Sequence, residues 1–390
     1  MSPKGAESSE KSAASGEPLR LLFVITGLGG GGAENALLNL CTHLVATRPG
    51  IRMIVICLLA GDDGPIPVKL QRLNVTVITI QAAIRCGRFL DLFREFIALR
   101  SFQPHVIQGW MYHGNVVAWG LRNLLFPAAR LVGSVHSLWS QPKHVSGLLR
   151  GARSLNLLAA GVDFDHTFYA GHASLQQHVR AGFPGARSSV LPNGVRFDDA
   201  GPRQASAVPT LVHVSRAHFD KDNGNFLRTL AELEGRKFPC EIVVLGAGLD
   251  ASFMERELPE HRDFRFVRVR ALGFRTDVRA FLHEASVMFL TSKSEAFPVS
   301  LVEGLGAGAV CVSTNVGDCR EIIGDCGVTV PPGRADLLAD ALIEWATESH
   351  RNRVSWNLRC RARAEAHFSL TTMGRLYDEV LIGVPEGRTL

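Results

Sequence analysis

Short apolar runs alternate with longer amphipathic stretches along almost the whole chain, and midway the alternation stops and starts again. In the first half the runs are LLFVITGL (21–28), MIVICLLA (53–60), NVTVITI (74–80), HVIQGW (105–110), RLVGSVH (130–136) and HTFYAG (166–171). In the second they are TLVHVSR (210–216), CEIVVLGAG (240–248), FRFVRVRALG (264–273), SVMFLTS (286–292), AVCVSTN (309–315) and GVTVPP (327–332). Runs this short and this uniformly apolar read as strands buried on both faces. Between them, AENALLNLCTHLVA (33–46), RFLDLFREFIALRSF (88–102), KDNGNFLRTLAELEG (221–235) and DLLADALIEWATES (336–349) carry helical periodicity, and a last helical segment covers roughly 351–382. Strand–helix alternation predicts parallel sheets with helices on both faces. The break, LPNGVRFDDAGPRQASAVP (191–209), is rich in Pro, Gly, Asn and Asp and reads as an inter-domain linker. The prediction is therefore an α/β chain of two doubly wound, Rossmann-like domains. The N-terminal one spans 20–195, with a C-terminal helix at about 368–385 packing back on it, and the C-terminal one spans 209–367. Segment 1–19 is polar and small and is expected to be a disordered tail. Such sheets bind ligands beyond the carboxyl ends of their strands, so two of them facing each other are expected to form a cleft lined by loops of both.

Composition narrows the function classes. Residues 1–200 hold 19 Lys and Arg against 12 Asp and Glu, while residues 201–390 hold 23 against 25. A basic first half suits an anionic partner such as a membrane surface or an anionic acceptor. No basic–aromatic array suggests nucleic acid. No apolar run reaches the ~18 residues that span a bilayer, and segment 1–19 lacks the apolar core of a secretion signal. The eight cysteines show no metal-type spacing, so neither zinc nor a disulfide framework is expected, and the expected compartment is cytoplasmic.

Three stretches carry the chemistry. GLGGGGAEN (27–35) follows the first strand and opens a helix, so four glycines strip the turn of side chains. Their amides are then open to a phosphate or sugar at a helix N-terminus. Spacing alone also fits a dinucleotide fingerprint, but the acidic residue that this requires comes late, as Asp62 or Asp63. SRAHFDKDNGN (215–225) places Arg216 and Lys221 between a strand and a helix, where two cations suit a diphosphate. TSKSEAFPVSLVEGLGAGAVCVSTNVGD (291–318) places Glu295 in a loop and Glu303 on the helix that follows, with Pro298 near its first position. The amides of Phe297, Val299 and Ser300 are free to hold a leaving phosphate, and the carboxylates to accept from sugar hydroxyls. Buried carboxylates among apolar neighbours need donors. His113 and His136 follow strands and face the same loops, and the Asp-x-Asp of DFD (163–165) is read as structural rather than as a metal site.

Taken in this order and spacing, these motifs resemble glycosyltransferase family 4, the retaining enzymes of the GT-B fold, over about 20–385. GLGGGGAENALLNL, LPNGVRFD, VSRAHFDKDNGNFL, VVLGAG, RALGFRTDV and SEAFPVSLVEGLGAG carry the resemblance. It implies transfer of a hexose from a UDP- or GDP-linked sugar to a glycan or lipid-linked glycan, in surface polysaccharide synthesis, with no cofactor and no metal. It also implies an acceptor-side N-terminal domain, a nucleotide-sugar-binding C-terminal domain, and roles for single residues. Glu295 and the amides after it contact the donor sugar, Glu303 the ribose, and Arg216 and Lys221 the diphosphate. Gly30, Gly31 and Gly32 line the sugar–phosphate side, His113 sits beside the donor sugar, and Gly246 and Gly273 belong to the loops that hold the base. Two positions depart from the family pattern: Ala296 and Asp318 stand where glycine is usual. A nucleotide-sugar isomerase or a non-catalytic binding module of the same shape are the competing readings. Segment 142–161, PKHVSGLLRGARSLNLLAAG, combines Lys143, His144, Arg150 and Arg153 with a leucine stripe and is expected to touch an anionic membrane surface from the cytoplasmic side.

Overall fold

A computed structural model describes residues 18–59, 64–81, 97–139, 147–197 and 208–383. Segment 1–17, the start of helical stretch 88–102, Asp62, Asp63, Lys143, His144 and most of the linker lie outside the described residues. The chain divides into two compact units. One runs to Gly194 and takes in the chain from Leu370 onward; the other runs from Val195 to Ser369.

The first unit is built on a seven-stranded parallel sheet of order β3-β2-β1-β4-β5-β6-β7. Its strands are β1 (Arg20–Ile25), β2 (Arg52–Cys57), β3 (Thr76–Thr79), β4 (Val106–Trp110), β5 (Arg130–Val135), β6 (His166–Tyr169) and β7 (Ser188–Val190). The second unit holds a six-stranded parallel sheet of order β10-β9-β8-β11-β12-β13. Here the strands are β8 (Thr210–Val214), β9 (Cys240–Leu245), β10 (Val267–Gly273), β11 (Val287–Leu290), β12 (Val310–Thr314) and β13 (Gly327–Val330). The α/β class and the parallel sheets are as the alternation predicts. Strand β7 was not predicted: SSV is three residues long with one apolar side chain, below what periodicity detects.

Both faces of each central strand are covered, which explains the unbroken apolar runs. In β1, Leu21, Phe23 and Ile25 enter one core with Leu37, Leu44 and Met53, while Leu22 and Val24 enter another with Ile107, Leu131 and Phe164. The helices that matter for the site are α1 (Gly32–Thr47), α2 (Met111–Leu125), α3 (Gly147–Val162), α4 (Asn223–Gly235), α5 (Val299–Gly306), α6 (Ala335–Arg351), α7 (Arg353–Phe368) and α8 (Leu370–Asp378). The last predicted helical segment is thus several pieces, and the break at Ser369 is extended. Helix α8 closes the first unit by packing on α1. Tyr377 donates to Gln108 Oε1 at 2.6 Å, Asp378 pairs with Arg48 at 3.0 Å, and Gly374 leaves room for the His43 ring.

Helix α2 lies unusually close to the sheet. A Cβ on Gly114 would sit 2.4 Å from the carbonyl oxygen of Val24, and one on Gly109 would sit 2.3 Å from Cα of Asn115. Glycines at both points let the helix seat between β1 and β4, the pair where the strand order of this sheet reverses. Gly114→Ala is expected to destabilise the protein by about 1–3 kcal/mol through overpacking, read as a lower urea midpoint with unchanged m-value.

Candidate functional site

In the second unit, β8 and β11 are neighbours although β9 follows β8 in sequence. The loops leaving their carboxyl ends therefore diverge from a switch point, the place where doubly wound sheets hold ligands. Lys221 ends the turn Phe219–Lys221 after β8, and Glu295 lies in the loop after β11. Their side chains meet: Lys221 Nζ is 2.5 Å from Glu295 Oε1, with Glu295 only 9% exposed. Ser292 Oγ donates to the same oxygen at 2.7 Å. A buried carboxylate is costly unless it is both paired and hydrogen-bonded, and here it is both.

The loops around the pair are laced together. Thr291 donates to the Lys221 carbonyl at 2.9 Å, the Lys293 amide to the Asp220 carbonyl at 2.8 Å, and Thr314 to the Ser292 carbonyl at 2.6 Å. Asp222 adopts a left-handed conformation with φ of 49°, which Asp tolerates better than most residues. Its carboxylate accepts from the Asn225 amide at 3.2 Å, capping α4, and pairs with Lys293 at 3.2 Å. Gly317, with φ of 53°, runs under the Glu295 loop so closely that a Cβ would lie 1.8 Å from the Glu295 carbonyl oxygen. The next residue, Asp318, is buried and its amide donates to the Ala296 carbonyl at 3.3 Å. The two departures from the family pattern are thus bonded to each other.

The other predicted residues of this unit fall into three groups. Arg216 is exposed just beyond β8, and its guanidinium makes no hydrogen bond or ion pair among the described residues. Glu303 is half-buried on α5; burial pushes its carboxyl up to about 7, opposed by the charge of Arg279. Gly246 and Gly273 bond to each other, amide to carbonyl, at 2.7 Å. At Gly246 a Cβ would overlap the Ser215 carbonyl, so this glycine lets the loops after β8 and β9 touch. Phe297 turns its ring into the protein against Phe368, with ring centres 5.7 Å apart, which leaves only its backbone for a ligand. Pro298 is the N-cap of α5, next to Val299, which opens the helix.

The first unit carries the remaining candidates. Gly30 has φ of 93°, a conformation that favours glycine. Asn35 ties the turn by donating its Nδ2 to the carbonyls of Gly30 at 2.9 Å and Gly31 at 3.0 Å. The amides of Gly30, Gly31 and Gly32 are exposed and make no hydrogen bond to the described residues. His113 stands half-buried on the first turn of α2 without a hydrogen-bond partner among the described residues. His136 differs: its ring stacks on Trp110 at 4.9 Å and meets Asn193 at 3.1 Å and Ser134 at 3.0 Å. Burial pulls its pKa down to about 4, so its ring is neutral at pH 7. Both carboxylates of DFD are occupied: Asp163 holds Trp119, Asn123 and Arg122 on α2, and Asp165 accepts from the Leu131 amide at 2.7 Å.

On α3, Leu148, Leu155, Leu158 and Val162 share one exposed face, 44–78% accessible, while Arg150 is exposed on another side of the helix. Arg153 is not part of that face. It lies over the rings of Tyr112 and Trp139, 5.1 Å from each centre. No described helix is long and apolar enough to cross a membrane. The seven described cysteines are free and buried.

Sequence reasoning missed Ser292, Lys293 and Thr314. A hydroxyl two or three positions before a buried carboxylate was the available signal for Ser292. Nor could sequence reasoning pair Lys221 with Glu295, which lies 74 positions away.

Known proteins share both halves of this arrangement. The family model "Glycosyltransferase Family 4" matches residues 30–199, and "Glycosyl transferases group 1" matches residues 208–348. The chain belongs to the family-4 glycosyltransferases. A glycogen synthase of Mycobacterium tuberculosis is 24% identical over 354 residues, covering 87% of this chain and 81% of the relative. An N-acetyl-alpha-D-glucosaminyl L-malate synthase of Bacillus anthracis is 35% identical over 89 residues, 22% of this chain and 23% of its own. Among solved structures, Anabaena HepE in complex with UDP superposes with a TM-score of 0.73 at 19% identity, covering 94% of this chain and all of that one. The fold is GT-B, and the protein is a glycosyltransferase.

Glu303 gives this glycosyltransferase a testable pH signature. Its folded-state pKa is raised, so the folded protein holds this proton more tightly than the unfolded chain does. Below pH about 4.5 both states are protonated and nothing is lost; stability falls between about 4.5 and 7 and the penalty stays constant above. Glu303→Gln is therefore expected to match the wild type at pH 4 and to exceed it at pH 8, by on the order of 2 kcal/mol in urea unfolding.

Proposed function

We propose that this glycosyltransferase moves a hexose, with retention of anomeric configuration and without a metal, from a UDP-linked sugar to a glycan or lipid-linked glycan in surface polysaccharide synthesis. The observation that carries this reading is the buried Lys221–Glu295 pair at the β8/β11 switch point, with unpartnered Arg216 on the same loop. UDP is favoured over other nucleotides because HepE was solved with UDP and with UDP-glucose.

The proposed chemistry follows from charge. Breaking the bond between sugar C1 and the diphosphate oxygen places negative charge on the leaving phosphate and positive character on C1. Lys221 and Arg216 are the cations for the first, and fixed charges need no reorganisation as the bond breaks. The amides of Val299 and Ser300 at the start of α5 point the same way in charge, since a helix N-terminus favours an anion. Glu295 has one oxygen engaged by Lys221 and Ser292, and its second oxygen is the acceptor for donor-sugar hydroxyls. Glu303 accepts the ribose hydroxyls when ionised. In the first unit, the amides of Gly30, Gly31 and Gly32 are donors for phosphate or sugar oxygens, and the His113 ring for a sugar hydroxyl. The leaving phosphate takes the acceptor's proton as the new C1–O bond forms on the same face, so no separate carboxylate nucleophile is needed.

Two measurements test this. A thermal-shift screen of nucleotide sugars is expected to single out a UDP-sugar, since a ligand at 100 times its Kd adds about 2.7 kcal/mol. Lys221→Ala and Arg216→Ala are each expected to lower turnover roughly 10²–10³-fold with an unchanged circular dichroism spectrum. Wild-type turnover by a folded Lys221→Ala protein refutes its role.

The exposed apolar face of α3, on the helix that also exposes Arg150, is the surface that would bring a lipid-linked acceptor within reach, with an anionic bilayer as its occupant. Apolar side chains insert at the headgroup boundary while cations meet the lipid charge. Vesicles containing anionic lipid are expected to float the wild-type protein at low salt, and Leu155→Ser/Leu158→Ser to abolish flotation. Flotation that persists in the double variant rules this face out.

A further inference from the structure

A groove of about 640 Å³ opens on the second unit among the loops that follow β8, β11 and β13. All three loops leave the carboxyl ends of their strands, so the groove lies on the same edge of the sheet as the Lys221–Glu295 pair. It is not the pair's own pocket: its walls include Phe219, His218, Asp222, Lys293, Arg228 and the bare backbone of Gly224 and Gly333.

Two features of these walls stand out. Phe219 is 79% exposed, although it is a large apolar ring on a short, well-anchored turn. Its packing partner is a cation: Lys293 Nζ lies 5.0 Å from the ring centre. Arg228, on the first turns of α4, makes no hydrogen bond or ion pair among the described residues. The other cation of the groove, Lys293, is already matched to Asp222 at 3.2 Å, and the His218 ring accepts from the Asp220 amide at 3.3 Å. The unspent charge is therefore that of Arg228. Room is kept beside it by glycine: a Cβ on Gly224, one turn earlier on the same helix, would come within 3.3 Å of Arg228 Nη1. On the opposite wall a Cβ on Gly333 would meet nothing within 4 Å.

A flat apolar ring open to solvent suits the C–H face of a pyranose, and a planar guanidinium suits a carboxylate or phosphate held by two parallel hydrogen bonds. We propose that this groove is an acceptor subsite for an anionic saccharide, with a sugar ring on Phe219 and its carboxylate or phosphate on Arg228. Phe219 and Lys221 are the two ends of one three-residue turn, so a sugar bound here is adjacent along the chain to the cation assigned to the leaving diphosphate. The subsite rests on the glycosyl-transfer reading above, but its binding is measured without donor.

The test uses the full chain, ligand-observed NMR for sugars and calorimetry for UDP. Methyl glucopyranosiduronate and glucose 6-phosphate are expected to bind at least fivefold tighter than methyl glucopyranoside. Arg228→Met is expected to erase that preference, and Phe219→Ala to weaken all three sugars at least fivefold. Both side chains are exposed, and UDP affinity, unchanged in both variants, serves as the control for fold and donor site. The proposal is overturned if wild-type protein shows no preference for the anionic sugars, or if the preference survives Arg228→Met. It is overturned equally if sugar binding survives Phe219→Ala, or if inorganic phosphate alone binds as tightly as glucose 6-phosphate, since the ring would then contribute nothing. Loss of UDP binding by the wild type would instead sink the donor assignment while leaving the sugar titrations readable.

Discussion

The second unit is organised around one buried ion pair. Lys221 and Glu295 come from loops 74 positions apart and meet because β8 and β11 lie side by side. The cost of burying two charges is met by proximity, by the Ser292 hydroxyl and by the rigidity of loops already bonded to one another. Removing Lys221 leaves the buried Glu295 carboxylate with the Ser292 hydroxyl alone, so the pair carries a structural cost as well as a proposed role. That combination is common where a site is held in a state that is worse for stability than an apolar alternative would be.

Much of the surrounding geometry serves to keep backbones close. Gly246 lets the loop after β9 touch the loop after β8, and Gly317 runs directly under Glu295. Each is a place where a methyl group does not fit, and each sits beside a residue assigned to the donor. Ala296 and Asp318, which depart from the usual glycines, are joined by a backbone hydrogen bond, so the departures form one local adjustment. The first unit uses the same device differently: Gly109 and Gly114 seat α2 against β1 and β4, which presents His113 on the helix's first turn.

Not every conspicuous residue is chemical. His136, Asp163 and Asp165 occupy positions that look functional in sequence, yet each has its polar atoms satisfied by neighbours that hold the fold together. Arg153 resembles a surface cation but rests on two aromatic rings. Arg216, Arg228 and the amides of Gly30 to Gly32 are the reverse, with hydrogen-bonding capacity that the described protein leaves unused. An unsatisfied donor on a ligand-binding edge is the better guide to chemistry, because evolution has no folding reason to leave it open.

The order of apolar and amphipathic segments by itself determined that the chain would form parallel sheets, because a strand buried on both faces must be apolar throughout and its return must cross over a helix. It likewise located the glycine turn, the two-cation loop and the paired carboxylates, since these are local in sequence. It missed β7, whose three residues carry too little pattern. Only the tertiary structure decided that Lys221 pairs with Glu295, that Ser292 completes the pair, that Phe297 offers backbone and not ring, and that the His136 ring is neutral and hydrogen-bonded while His113 stands open. Those are matters of which distant loops meet and which side chains lose their water, and neither is encoded in the spacing of residues along the chain.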